Sequence, residues 1–213
     1  MDESNMRMRV PGVTRRKFGD WFLFAFTSLE MALLIFLTPT FATVDWIYVS
    51  GHLLVLWIAI TRSPPGVQDL SFPSSIAVLV AYAYPYAQVA YLRWAPGYVV
   101  WPEVGLVLVM LGACLSFASL VSLGRGFGVW PALRGLETRG PYRFVRHPMY
   151  LGYLFADVGY NLYEYNFGTI MLVIAGWTSL FYRIRAEERI LAQDAGWSRY
   201  SGLVRYRLLP GIW

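Results

Sequence analysis

Six apolar runs constrain this chain more than any other feature. They lie at approximately 21–38, 44–61, 75–94, 103–123, 149–163 and 167–184. Most approach the roughly 20 residues that a helix needs to cross a bilayer. Backbone groups in lipid must find partners within their own segment, and no barrel-like alternation is visible, so all six are expected to be helices. The expected fold is therefore all-α: a polytopic membrane bundle of about five to six transmembrane helices with no Rossmann domain. Composition agrees. Only 15% of the residues are charged, against about 25% in a soluble domain. The fifth run is the exception in length. Its 15 residues rise only about 22 Å, and it contains Asp157 and Asn161.

The basic residues orient the bundle. Segments 1–20, 61–74, 124–148 and 183–213 hold five, one, five and six of them, which is 17 of the 18. Only Arg93 falls on the other side. The positive-inside rule then predicts an integral membrane protein with both termini in the cytoplasm. Three regions follow: a cytoplasmic segment 1–20, a four-helix membrane region 21–123, and a region 124–213 with a His-Pro loop, a helical hairpin and a C-terminal helix. The net charge of +5 is a topology signal rather than a nucleic-acid signal. One cysteine, Cys114, and two histidines, His52 and His147, argue against a metal centre. Glycines 124, 126 and 128 have the wrong spacing for a dinucleotide fingerprint, and no strand precedes them.

Two stretches carry possible chemistry. The loop from Gly124 to Gly152 holds five arginines, one histidine and three prolines among its glycines. His147-Pro148 forces an extended residue before a helix start. Free backbone N–H groups there could bind a carboxylate, with Arg143 and Arg146 beside them. A plain positive-inside loop accounts for the arginines equally well. The second stretch, Arg183 to Arg189, places Glu187 four residues from Arg183 and Glu188 three from Arg185, as in a solvated salt-bridge cluster. One carboxylate turned inward could instead hold a cationic ligand. Neighbouring helical side chains diverge by about 100°, so both glutamates are not expected to do one job. Glu30 and Asp157, in apolar runs, should face the protein interior. His52 and Cys114 are expected to be packing residues.

The elements Arg146-His147-Pro148-Met149-Tyr150-Leu151-Gly152, then Glu187-Glu188, resemble the signature of the isoprenylcysteine carboxyl methyltransferase family. That family is grouped with the membrane phospholipid N-methyltransferases. Thr138 to Arg143, and Trp197 to Tyr200 through Leu209-Pro210, are similar too, although the family often has Tyr where this chain has Trp197. The resemblance covers roughly residues 124–213. It implies S-adenosyl-L-methionine as cofactor and a lipophilic methyl acceptor arriving through the membrane. It implies a cofactor site on the His147-Pro148-x-Tyr150-x-Gly152 turn and the Glu187/Glu188 pair, to which Tyr142 and Arg143 are added. A carboxylate acceptor needs a steering cation, for which Arg146 and Arg205 are the candidates, with Glu188 the carboxylate at the reaction centre. The rival readings are a phosphatidylethanolamine-type N-methyltransferase, a membrane oxidoreductase with a loosely similar C-terminal half, as in sterol reductases, and a non-catalytic membrane protein.

Overall fold

The computed structural model describes residues 24, 25, 27–29, 31, 32, 36, 43–62 and 65–213. The segment 1–20, Glu30 and most of the first apolar run lie outside the described residues. The remaining runs form five helices: α1 (Thr43–Thr61), α2 (Phe72–Trp94), α3 (Pro102–Leu123), α4 (Pro148–Tyr163) and α5 (Phe167–Leu191). A short helix α6 (Trp197–Leu203) follows. The segments Phe72–Leu92, Pro102–Gly126 and Phe167–Leu191 are long and apolar enough to cross a membrane. Thus three of the five to six expected spans meet that criterion among the described residues. α4, at 16 residues, keeps the shortness seen in the sequence.

Local chemistry sets the helix starts. Pro occupies the first turn of α2, α3 and α4, where its missing N–H has no partner to lose. Ser71 caps α2, accepting a bond from the Ser74 N–H, and Asn166 caps α5 through Gly168 N–H at 2.8 Å. α2 continues through Pro85 without ending.

Two small antiparallel ladders tie the loops together. β1 (Val67–Gln68) pairs with β3 (Ala132–Leu133), and β2 (Tyr98–Val99) with β4 (Glu164–Tyr165). The first brings the loops before α2 and after α3 to one end of the bundle. The second joins the α2–α3 and α4–α5 connections at the opposite end. This matches the arginine sorting, which assigns 61–74 and 124–148 to one face.

α3 packs chiefly against α4, and α2 against α5. The α3–α4 seam is made by glycine. A Cβ on Gly105 would lie 2.6 Å from Gly159 O, and one on Gly112 would lie 2.4 Å from Gly152 O. Conversely, a Cβ on Gly152 would lie 2.2 Å from Ser116 Oγ. Each helix carries its two glycines seven residues apart, so two turns of each backbone meet at close range, as small residues permit in membranes.

Candidate active site

The polar site is assembled at the end of the bundle that carries the His-Pro loop. Three chain segments meet there: the loop 140–147 leading into α4, the last two turns of α5, and the tail 204–213. The tail is bound to the loop by backbone hydrogen bonds. Arg146 N–H donates to Tyr206 O, and His147 N–H to Arg207 O, both at 2.9 Å. The tail thus occupies the two N–H groups that precede α4, and the Glu187 carboxylate stands near the helix start.

The two glutamates diverge as adjacent helical positions must. Glu187 Oε1 accepts from Tyr150 Oη at 2.6 Å and lies 3.5 Å from Arg183 Nη2. Glu188 accepts from Arg207 Nε at 2.8 Å and pairs with Arg146 Nη1 at 3.0 Å. The buried His147 ring lies between them, with Nδ1 3.7 Å from Glu187 and Nε2 3.4 Å from Glu188. It stacks on Tyr150, ring centroids 5.7 Å apart. The expected solvated cluster is corrected on both counts. The Arg183–Glu187 pair forms, but Arg183 is only 4% exposed. Glu188 pairs with the distant Arg146 and Arg207 rather than with Arg185.

Arg183 is further held by Val129 O at 2.8 Å and by the rings of Tyr82 and Tyr150. Arg146 also donates to Arg205 O at 2.9 Å and lies over the Trp197 ring. Burial, with Arg207 adding to it, pulls the Arg146 guanidinium below its ordinary value against the attraction of Glu188. Tyr200 donates to Tyr142 O at 2.8 Å. Burial pushes its hydroxyl up to about 12, with Glu137 and Glu188 adding and Arg146 opposing. Burial likewise raises the Tyr142 hydroxyl, with Glu187 the next cause.

A cavity of about 550 Å³ opens beside this cluster. Its polar end is lined by Tyr142, Arg146, His147, Tyr150, Arg183 and Glu187, with Arg134, Glu137 and Tyr200 at the same end. From there it runs between the helices. Val55 on α1, Val89 on α2, and Val109, Ala113, Phe117 and Leu120 on α3 line its apolar limb. Four buried polar atoms of the cluster have no hydrogen-bond partner: Arg146 Nε, Arg183 Nε, His147 Nε2 and Glu188 Oε1.

The structure therefore brings together Tyr142, Arg146, His147, Tyr150 and Glu187 on one cavity wall. Pro148 starts α4 beneath them. Glu188 stands behind His147 and does not line the cavity. Gly152 is part of the α3–α4 seam. Arg143 is exposed and lies over the Phe144 ring, away from the cavity. The Arg205 side chain is also exposed, and its contribution is a backbone carbonyl.

Two residues escaped the sequence reading. Arg207 holds Glu188, a contact created only by the tail folding back. Arg134 lines the cavity with its guanidinium where a Cβ on Gly128 would stand, 2.1 Å away. Gly128 was the available signal for that crowding. The intramembrane Asp157 does face the interior. It accepts from Trp177 Nε1 at 2.7 Å and Tyr84 Oη at 2.9 Å. His52 bonds Tyr86 Oη at 2.9 Å, as a packing residue would. Cys114 is exposed, not the buried small hydrophobe expected.

Comparison with known proteins bears on the same half of the chain. Residues 101–194 match the family model described as phospholipid methyltransferase. Protein-S-isoprenylcysteine O-methyltransferase A of Arabidopsis thaliana is 31% identical over 98 residues, 43% of this chain and 50% of the relative. The B form of the same plant is 32% identical over 98 residues, with the same shares. The chain thus spans about half the length of the curated relatives it matches. It resembles the isoprenylcysteine carboxyl methyltransferase family and, from the start of α3 to just beyond α5, the related phospholipid methyltransferases.

Proposed function

We propose that this protein is an integral membrane S-adenosyl-L-methionine-dependent methyltransferase that methylates the carboxylate of a lipophilic acceptor. The observation that carries the reading is the single cavity with a charged end and an apolar limb. One end suits a small zwitterionic, cationic cofactor, and the other suits a lipid chain. The orphaned Nε atoms of Arg146 and Arg183 fit a carboxylate, and Glu187 on the cavity wall fits a cationic centre. S-adenosyl-L-methionine supplies, when bound, a methyl group activated on a sulfonium.

The protein's own work is positioning. A carboxylate acceptor is nucleophilic at neutral pH and needs no base. Arg146 is the candidate cation for steering it, with Arg134 on the same wall. Tyr150 and Arg183 fix the Glu187 carboxylate, and His147 separates it from Glu188. The cavity walls align the reactants, and the bound reactants displace water from it. Arg205 and Arg143 are left as weaker candidates because both side chains are exposed. The arginine distribution supports a cytoplasmic site and cytoplasmic termini. Cysteines placed at position 5 and at the exposed position 212 in a Cys114→Ser background should resist labelling from outside intact cells.

The short α4 supports lateral entry of the acceptor. Sixteen residues rise about 24 Å against a hydrocarbon core of about 30 Å. Each buried methylene contributes about 0.8 kcal/mol, so kcat/KM should climb steeply through a series of prenyl-thioether carboxylates with longer tails. Independence of tail length, with membrane partitioning controlled, overturns lateral entry. Glu187 beside His147 favours a second reading, since a carboxylate on the wall could accept the proton that an amine must lose. A phosphoethanolamine series with the same tails decides between the two. Binding of a nicotinamide cofactor in place of S-adenosylhomocysteine would overturn both.

A further inference from the structure

The apolar limb of the cavity is not uniformly apolar. Gln88, on α2 and only 3% exposed, lines it. Its amide nitrogen approaches Asp157 Oδ1 at 3.5 Å. Asp157 already accepts from Tyr84 and Trp177 on its other oxygen. An ionised carboxylate only accepts, and toward Asp157 in that form Gln88 presents its nitrogen. Its carbonyl oxygen is thereby turned to other use, and Oε1 is buried with no hydrogen-bond partner. A second buried orphan, Thr27 Oγ1, belongs to a residue that is 1% exposed and lines the same cavity.

Packing alone gives no reason for these atoms. A buried polar group left unpaired costs stability, and more so where no water competes. A leucine or valine would line a hydrocarbon slot at lower cost. We infer that the limb holds a two-residue recognition site for a hydrogen-bond donor within the lipid body of the acceptor, a hydroxyl or amide N–H bound by Gln88 Oε1 with Thr27 Oγ1 as the second polar group on it. This rests on the lipophilic-acceptor reading above and narrows it: the preferred acceptor is a lipid with a polar donor part-way along its apolar body. A site built to bond a hydroxyl discriminates strongly against the analogue lacking it, because the protein group is then left unpaired.

The test uses the full chain in lipid nanodiscs and sets of acceptors with one carboxylate head group and one chain length. Each set has a methylene, a hydroxyl or a ketone at one carbon, and the position is moved along the tail. Binding is read by native mass spectrometry without cofactor, and methyl transfer is read separately. At one position along the tail, the hydroxyl lipid should bind and react about tenfold to a hundredfold better than the methylene lipid. The ketone, which cannot donate, should be bound less well than the hydroxyl. Gln88→Met, close in volume, should erase the hydroxyl preference and keep binding of the plain chain and of S-adenosylhomocysteine. Thr27→Val gives a second variant should Gln88→Met fail to fold, and it should lower the preference. Equal binding of hydroxyl and methylene lipids at every position, or a preference that survives Gln88→Met, overturns the proposal. If Gln88→Met fails to fold, a preference that survives Thr27→Val overturns the two-residue site. Hydroxyl-selective binding without methyl transfer would sustain this site and overturn the methyltransferase reading instead.

Discussion

The α3–α4 seam and the polar cluster at the end of α4 share a helix but are built on opposite principles. The seam is made by removing side chains. Gly105, Gly112, Gly152 and Gly159 let two backbones touch without any charge, and Ser116 Oγ donates to Met149 O at 3.4 Å beside them. The cluster is made by adding them. Arg146, His147, Glu187, Glu188, Arg183 and Arg207 are drawn into one layer in which nearly every charge faces its opposite. The seam sets where α4 stands, and the cluster sets what its first turn presents to the cavity. Rigid apolar contact supplies position, and paired charge supplies chemistry. Damage to the first should appear in folding alone, and damage to the second in the attachment of the tail and in binding.

The largest expected effect comes from filling the seam. Gly112→Ala puts a methyl 2.4 Å from Gly152 O and 2.7 Å from Ala156 N. Backbone cannot step aside cheaply, so about 3 kcal/mol or more should be lost, at the upper end of the overpacking range. Thermal unfolding in detergent reads this. Gly51→Ala is the control, since nothing stands within 4 Å of its Cβ position, and it should leave the melting temperature unchanged or raise it slightly.

Next in size is Glu188→Gln. It leaves Arg146 and Arg207 without their counter-charge at a site that is 11% exposed on the Glu188 and Arg146 side chains. A cost of about 2–3 kcal/mol is expected, below the full figure for a buried pair because the Arg207 side chain is 32% exposed. Tethering of the tail should loosen, seen as faster amide exchange at His147, whose N–H is held by Arg207 O.

Glu187→Gln sharpens the contrast, because the neighbouring carboxylate should fail in a different assay. Its loss should weaken S-adenosylhomocysteine binding about tenfold to a hundredfold by calorimetry. It also strips the buried Arg183 of its counter-charge, so the melting temperature should fall as well, and the assay that separates the two variants is S-adenosylhomocysteine binding, which Glu188→Gln should change less. If the two glutamates exchange these phenotypes, Glu188 is the cofactor contact and the division of labour is reversed.

The smallest effect belongs to Arg205→Ala. The side chain is exposed, and the carbonyl that Arg146 uses remains, so stability should move by no more than about 0.5 kcal/mol. A large loss of methyl transfer with unchanged stability would restore Arg205 as an acceptor contact.

Local signals carried much of the architecture. Apolar runs located α1 to α4 within three residues at each end, and the start of α5, because burial in lipid imposes length and composition on each segment separately; α5 runs on seven residues past its apolar run, to Leu191, where its last two turns carry the charged cluster. Arginine sorting identified the loops that share an end, since that signal is also written segment by segment. The His147-Pro148 turn and the divergence of Glu187 from Glu188 follow from covalent geometry and helical pitch, and both are seen. The paired seven-residue glycine spacing was present in the sequence too, although its meaning depends on knowing that α3 and α4 are antiparallel neighbours.

What the sequence by itself determined was therefore a helical membrane chain, its element boundaries, and a loop and a glutamate pair of opposite charge. Only the tertiary structure decided which charges meet. Arg207 reaches Glu188, and Tyr206 and Arg207 carbonyls close the His147 turn, because the tail folds back across the end of the bundle. Asp157 gathers Tyr84, Gln88 and Trp177 from two other helices, leaving the Gln88 oxygen turned from it. Such contacts join residues tens of positions apart, and no local propensity encodes them. They are selected by the one packing that buries the helix faces while giving most buried polar groups a partner.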